Sequence, residues 1–132
     1  MKKFLWLFFF IPFISNAQDS TRVDISNPYA TIYTHLFFLQ EDSYQPEKAA
    51  KTIAGYPDKV AMRKAIKLKK ILDGKGLFVD FNKISSDPNY RDTIGYSASY
   101  KYVLFPQRMP EISVEKINNN GYYSAETVSK ID

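Results

Sequence analysis

The hydrophobic period of the chain changes once, and that change limits the folds open to it. From residue 28 to residue 74 apolar side chains recur every three or four positions, as on one face of a helix. From residue 77 onward they tend to alternate, as on a half-buried strand. Helical segments gathered before strand segments imply an α+β domain: three N-terminal helices packed on a small antiparallel β-sheet. A chain of 132 residues has room for one such domain and no more.

Each segment carries its own boundary chemistry. Ser26-Asn27-Pro28 opens a helix, because a side-chain oxygen can accept an orphan backbone N–H and proline at the first helical position loses no bond. Tyr29, Ile32, Tyr33, Leu36 and Phe37 then share a face, which predicts a helix over residues 28–39. Pro46 opens a shorter helix through Ala49, Ala50 and Ile53, closed by Gly55. A third follows Pro57-Asp58, with Ala61, Ala65, Leu68 and Leu72 as its inner stripe and Gly74 or Gly76 at its end.

Residues 77–81 alternate and predict a short strand, and Ser85-Ser86-Asp87-Pro88-Asn89 predicts a surface loop. Residues 96–105 and 112–117 read as strands separated by a turn over 106–110. Asn118-Asn119-Asn120-Gly121 tolerates positive φ and so predicts a hairpin into a last strand over 122–124. Residues 125–131 read as the start of a helix too short to stand alone, which either docks on the core or continues beyond the chain. Leu68 and Leu72 on the third helix, with Tyr102, Leu104, Ile112 and Val114 on the sheet, are the expected structural centre.

The N-terminus reads as an address. Lys2 and Lys3 precede an apolar run over residues 4–14, and Ser15-Asn16-Ala17 puts small residues where a signal peptidase inspects them. This predicts a signal peptide over residues 1–17, a linker over 18–25 and one extracytoplasmic domain over 26–132, located in the periplasm. The rival, an uncleaved anchor, is the weaker reading: such a run rises about 16 Å as a helix, roughly half of a hydrocarbon core of about 30 Å. Cleavage removes two lysines, leaving sixteen cationic and fourteen anionic side chains, a formal charge of +2. Nucleic acid is therefore not an expected partner.

Candidate chemistry is sparse. With no cysteine and one histidine, thiol catalysis, disulfides and multi-histidine metal sites are excluded. His35 is expected at the core edge or the surface. The carboxylates Glu41, Asp42, Asp80, Asp87, Asp92, Glu111 and Glu115 are scattered with no spacing that marks an acid and base pair. Gly74-Lys75-Gly76 lacks the spacing and preceding strand of a phosphate loop. The expectation is a protein without catalytic residues, cofactor or metal.

Two surfaces remain. Lys59, Arg63, Lys64, Lys67, Lys69 and Lys70 make the third helix basic. They are either a solvated face or, through Arg63, Lys64, Lys67 and Lys70, a contact with anionic lipid headgroups. Tyrosines 96, 100, 102, 122 and 123 gather on the expected sheet, with alternation placing Tyr96, Tyr100 and Tyr102 on one face. They are either a packing layer or, with Tyr123, a surface for a ligand or partner.

The sequence also carries a set of short motifs. These are Asn27-Pro28 ahead of His35-Leu36, Asp42-Ser43-Tyr44, Ala49-Ala50, and Ile71-Leu72-Asp73-Gly74-Lys75-Gly76-Leu77. Asp87-Pro88-Asn89-Tyr90, Leu104-Phe105-Pro106, and Tyr122-Tyr123-Ser124 before Glu126-Thr127-Val128 complete it. In this the chain resembles the exported N-terminal region of small-conductance mechanosensitive (MscS-like) channels. The resemblance implies a periplasmic interaction or regulatory domain beside a tension-gated channel, with channel subunits or the membrane surface as partners. It also implies a truncated reading frame or an isolated domain, since no pore-lining segment is present, and a hairpin weakened by Gly121 where the pattern favours tryptophan. The alternative is a free-standing periplasmic module that holds a small ligand or peptide between the helices and the tyrosine-bearing sheet face.

Overall fold

The computed structural model describes residues 22–91 and 100–131. Helix α1 (Pro28–Phe37) starts where Asn27, in extended backbone, turns its side-chain oxygen onto the Ala30 N–H at 2.8 Å. It stops two residues short of the expected end. Helix α2 (Pro46–Ala49) tightens into a 3-10 turn over Ala50–Thr52, and Gly55 leaves it at φ +87°. Helix α3 (Asp58–Gly74) is the longest element. Its end is a glycine-type cap: Gly76 lies at φ +65° and the Leu77 N–H donates to the Leu72 carbonyl at 2.9 Å.

The sheet has strands β1 (Lys101–Phe105), β2 (Met109–Ile117) and β3 (Asn120–Tyr123), all antiparallel, in the order β1-β2-β3. Tyr102 faces Val114 across β1 and β2, with an irregularity in the register between Val103 and Phe105. Ile117 pairs with Asn120, so the hairpin loop is Asn118 and Asn119 alone, at φ +51° and +69°. Both residues take the left-handed backbone that a tight two-residue turn needs, and asparagine accepts it. The last strand thus begins at residue 120 and takes in Gly121, rather than running over 122–124.

The architecture is α+β. Helix α1 lies on β2 and β3, α2 with its 3-10 extension touches α1, α3 and β3, and α3 packs on α2. Helix α4 (Ala125–Ser129) docks on β2, its N-cap Ser124 accepting from the Thr127 N–H, and buries Thr127 and Val128, with Ile131 buried just beyond it. One core runs through Ile32, Phe38, Leu68, Leu72, Ile112, Val114, Val128 and Ile131. Residues 23–25, at the end of the segment read as a linker, are held to it. Val23 packs against the core, Thr34 Oγ1 accepts from the Asp24 N–H, and the Ile25 carbonyl accepts from the Gly121 N–H.

Two further expectations are corrected. Residues 77–81 form no strand: Leu77 is buried and Phe78 is 87% exposed, so the alternation is real, but the chain leads into a 3-10 turn over Phe81–Lys83. Alternation specifies a half-buried extended segment; it does not supply a neighbour to pair with. The strand expected over 96–105 is seen as β1 from residue 101, its positions 96–99 lying outside the described residues. The buried face of α1 is the second. It consists of Pro28, Ala30, Thr31, Ile32, Thr34 and His35, whereas Tyr33 is 39% exposed. Tyr29, Tyr33 and Phe37 stack along the flank, and Phe81 meets the first two edge-on at 5.5 and 5.7 Å.

Gly121 explains why small polar residues face inward. A Cβ there would lie 2.7 Å from Thr31 Oγ1 and 3.3 Å from a Val114 methyl carbon. Removing it lets α1 sit against β3, where Thr31 donates to the Gly121 carbonyl at 3.0 Å. The glycine tightens the hairpin's packing instead of weakening it, and a tryptophan side chain has no room.

Candidate functional site

The chemistry-bearing residues separate into a sealed junction and an open cationic face. His35, expected at the core edge or the surface, is fully buried where α1 meets α3 and β3. Its Nε2 lies 2.8 Å from the Ala65 carbonyl, which can only accept, so Nε2 carries the proton. Nδ1 then accepts from the Tyr123 hydroxyl at 2.8 Å, and the rings meet edge to face at 5.0 Å. Both ring nitrogens are occupied. Burial lowers the His35 pKa to about 4, against a partial opposing effect of the Ala65 carbonyl. Burial likewise pushes the Tyr123 phenol well above its usual range.

A second buried cluster fastens α4. Ser113 N–H donates to Thr127 Oγ1 at 2.9 Å, Ser113 Oγ to Ser124 Oγ at 2.8 Å, and Thr127 Oγ1 to the Glu111 carbonyl at 2.8 Å. Among the described residues, every buried side-chain nitrogen and oxygen has a partner. Both clusters are sealed: His35, Tyr123, Ser113, Ser124 and Thr127 are each at most 3% exposed.

The tyrosine set divides. Tyr123 is 2% exposed and belongs to the core, which corrects its place in a ligand surface. Tyr96 lies outside the described residues. Tyr100 is pinned outside the sheet, with the Arg91 guanidinium 4.5 Å from its ring centroid and Lys116 Nζ 5.0 Å from it. The hydrogen bond from Arg91 to its hydroxyl, 2.7 Å long, lowers the Tyr100 pKa. Tyr102 packs edge-on against Tyr90 and donates to the Lys83 carbonyl at 3.2 Å. The cleft between Tyr100 and Tyr102 encloses about 10 Å³, room for about one water. A roomier groove of about 380 Å³ runs along β1, lined by Phe78, Ile84, Tyr102, Leu104 and Phe105.

Part of the basic set shares one exposed side of α3. Arg63, Lys67 and Lys70 are exposed on α3, on the side away from the buried Ala61, Ala65, Leu68 and Leu72. Lys64 lies beside them with its Nζ 4.9 Å from the Tyr56 ring centroid. Lys69 is drawn off to Asp73 at 2.6 Å. The asymmetry extends beyond one helix. Residues 46–75 hold nine lysines and arginines against three carboxylates, while the rest of residues 18–132 hold seven against eleven. A weak net charge therefore hides an uneven distribution of charge along the chain. Composition averaged this away; the signal was present in the sequence once charge was counted by segment.

Comparison with protein-family models, with curated proteins and with solved structures returns no match. Among the described residues no helix is long and apolar enough to cross a membrane, and no cluster of histidine and carboxylate side chains is arranged to hold a metal ion.

Proposed function

We propose that this chain is an exported, non-catalytic interaction domain that works against an anionic membrane surface, in a role like that of the N-terminal module of the mechanosensitive channels it resembles. The observation that carries the reading is the excess of six positive charges on residues 46–75, displayed by Arg63, Lys67 and Lys70 on the outer side of α3. Each such residue near an anionic bilayer contributes about 1 kcal/mol, so a face of this kind binds weakly alone and usefully beside a second tether. The cations on the outer side of α3 are drawn to the same surface, which orients the domain with α3 toward the lipid. Two further features support a role without catalysis: the sole imidazole is sealed with both nitrogens engaged, and the Tyr100 cleft is too small for a ligand.

The test is sedimentation of the isolated protein with vesicles of phosphatidylcholine alone or containing phosphatidylglycerol, at low and high salt. Binding should require the anionic lipid and weaken with salt, and Arg63→Glu/Lys67→Glu/Lys70→Glu should abolish it without moving the thermal transition. Equal binding by that variant, or none by the parent protein, removes the proposal.

A further inference from the structure

We propose that His35 is an acid-sensitive latch: protonating its ring parts α1 from α3 and β3. The inference needs only the fold and is independent of membrane docking. Among the described residues, His35 ties the three elements together with the hydrogen bonds of its side chain, through the Ala65 carbonyl on α3 and the Tyr123 hydroxyl on β3. In the neutral ring this arrangement is complete. Nε2 donates, Nδ1 accepts, and the Tyr123 hydroxyl proton is used.

A second proton has nowhere to go. An Nδ1–H would have to donate to the Tyr123 oxygen, forcing the hydroxyl proton to turn away within the buried interior, where Tyr123 is 2% exposed. The imidazolium would also stand fully buried. The groups whose charge reaches it are Lys69 and Asp73 on α3, and these are paired with each other at 2.6 Å, so the carboxylate's attraction is offset by the ammonium. β3 offers Tyr123, whose phenol stays neutral. The inward faces of α2 and β2 present Ala49, Ala50, Ile112, Ser113 and Val114, none of which ionises. The charged ring is therefore relieved only by reaching water, which means lifting α1.

The folded state binds fewer protons than the unfolded state between the ordinary histidine pKa of 6.5 and about 4, so stability is complete above that window and falls as pH drops through it. The folded-to-unfolded ratio should drop by roughly two orders of magnitude from this group alone.

Because the chain has a single histidine, its ring can be followed without assignment. Carbon and nitrogen NMR of the wild-type imidazole from pH 8 to pH 4 should show a neutral ring protonated on Nε2 until well below pH 6. The charged form should then appear together with loss of amide protection in α1. A smooth titration near pH 6.5 with α1 still protected overturns the proposal. In parallel, His35→Gln cannot titrate, so its thermal transition should lose the fall with acid that separates it from the wild type over that window. Parallel curves overturn the proposal; should the variant not fold, the wild-type ring titration decides alone.

Discussion

The inner faces of α3 and α1 bury their residues by different means. The α3 face, Ala61, Ala65, Leu68 and Leu72, is uniformly apolar and sits at intervals of three and four. It gains stability from the area it removes from water, whatever lies opposite. The α1 face buries Thr31, Thr34 and His35 around Ile32, and each of these polar groups is tolerated only because a particular atom meets it. A buried hydroxyl or imidazole with no partner costs about 1–3 kcal/mol, so this face is stable in one register and with one set of neighbours. Apolar stripes tolerate a range of neighbours; bonded polar faces specify one.

Leu68 is the most sensitive position on the α3 face. Leu68→Asp puts a charge at a position 1% exposed, and the expected cost of about 5 kcal/mol or more is comparable to the whole stability of a domain this size. Chemical denaturation should find no cooperative transition; an unchanged midpoint would mean that the α3 register is wrong. Gly121→Ala tests the close approach of α1 to β3. Its new methyl meets Thr31 Oγ1 at 2.7 Å, so a loss of about 1–3 kcal/mol is expected, read as a lowered denaturation midpoint. A neutral result there would show that α1 can shift freely, against the polar-face account. Thr34→Val keeps the shape and removes the hydroxyl that accepts from the Asp24 N–H and donates to the Asp24 carbonyl. It should cost about 1 kcal/mol and release residues 23–25, visible as faster amide exchange at Asp24.

The same contrast explains how far the sequence could be read. The start of α1 at Asn27-Pro28, the stripe and cap of α3, and the hairpin at residues 118–119 were legible because each depends on residues within one or two turns of each other. The exposed basic side of α3 was legible for the same reason, being the complement of its apolar stripe. The inward turn of His35 was not: its partners Ala65 and Tyr123 stand 30 and 88 residues away, and nothing near residue 35 marks them. Bulky Tyr29, Tyr33 and Phe37 outscored Thr31, Thr34 and His35 on hydrophobicity. Only the approach of Gly121 and the hydroxyl of Tyr123 reversed the order.

The order of helices and strands, the ends of α3 and the concentration of positive charge between residues 46 and 75 were determined by the sequence alone, since local periodicity and local charge need no partner to exist. The tertiary structure decided which side of α1 turns inward, that residues 77–81 stay unpaired by any described strand, and that Tyr123 leaves the surface. Those outcomes depend on long-range hydrogen bonds and steric fit, whose energies appear only when distant segments meet.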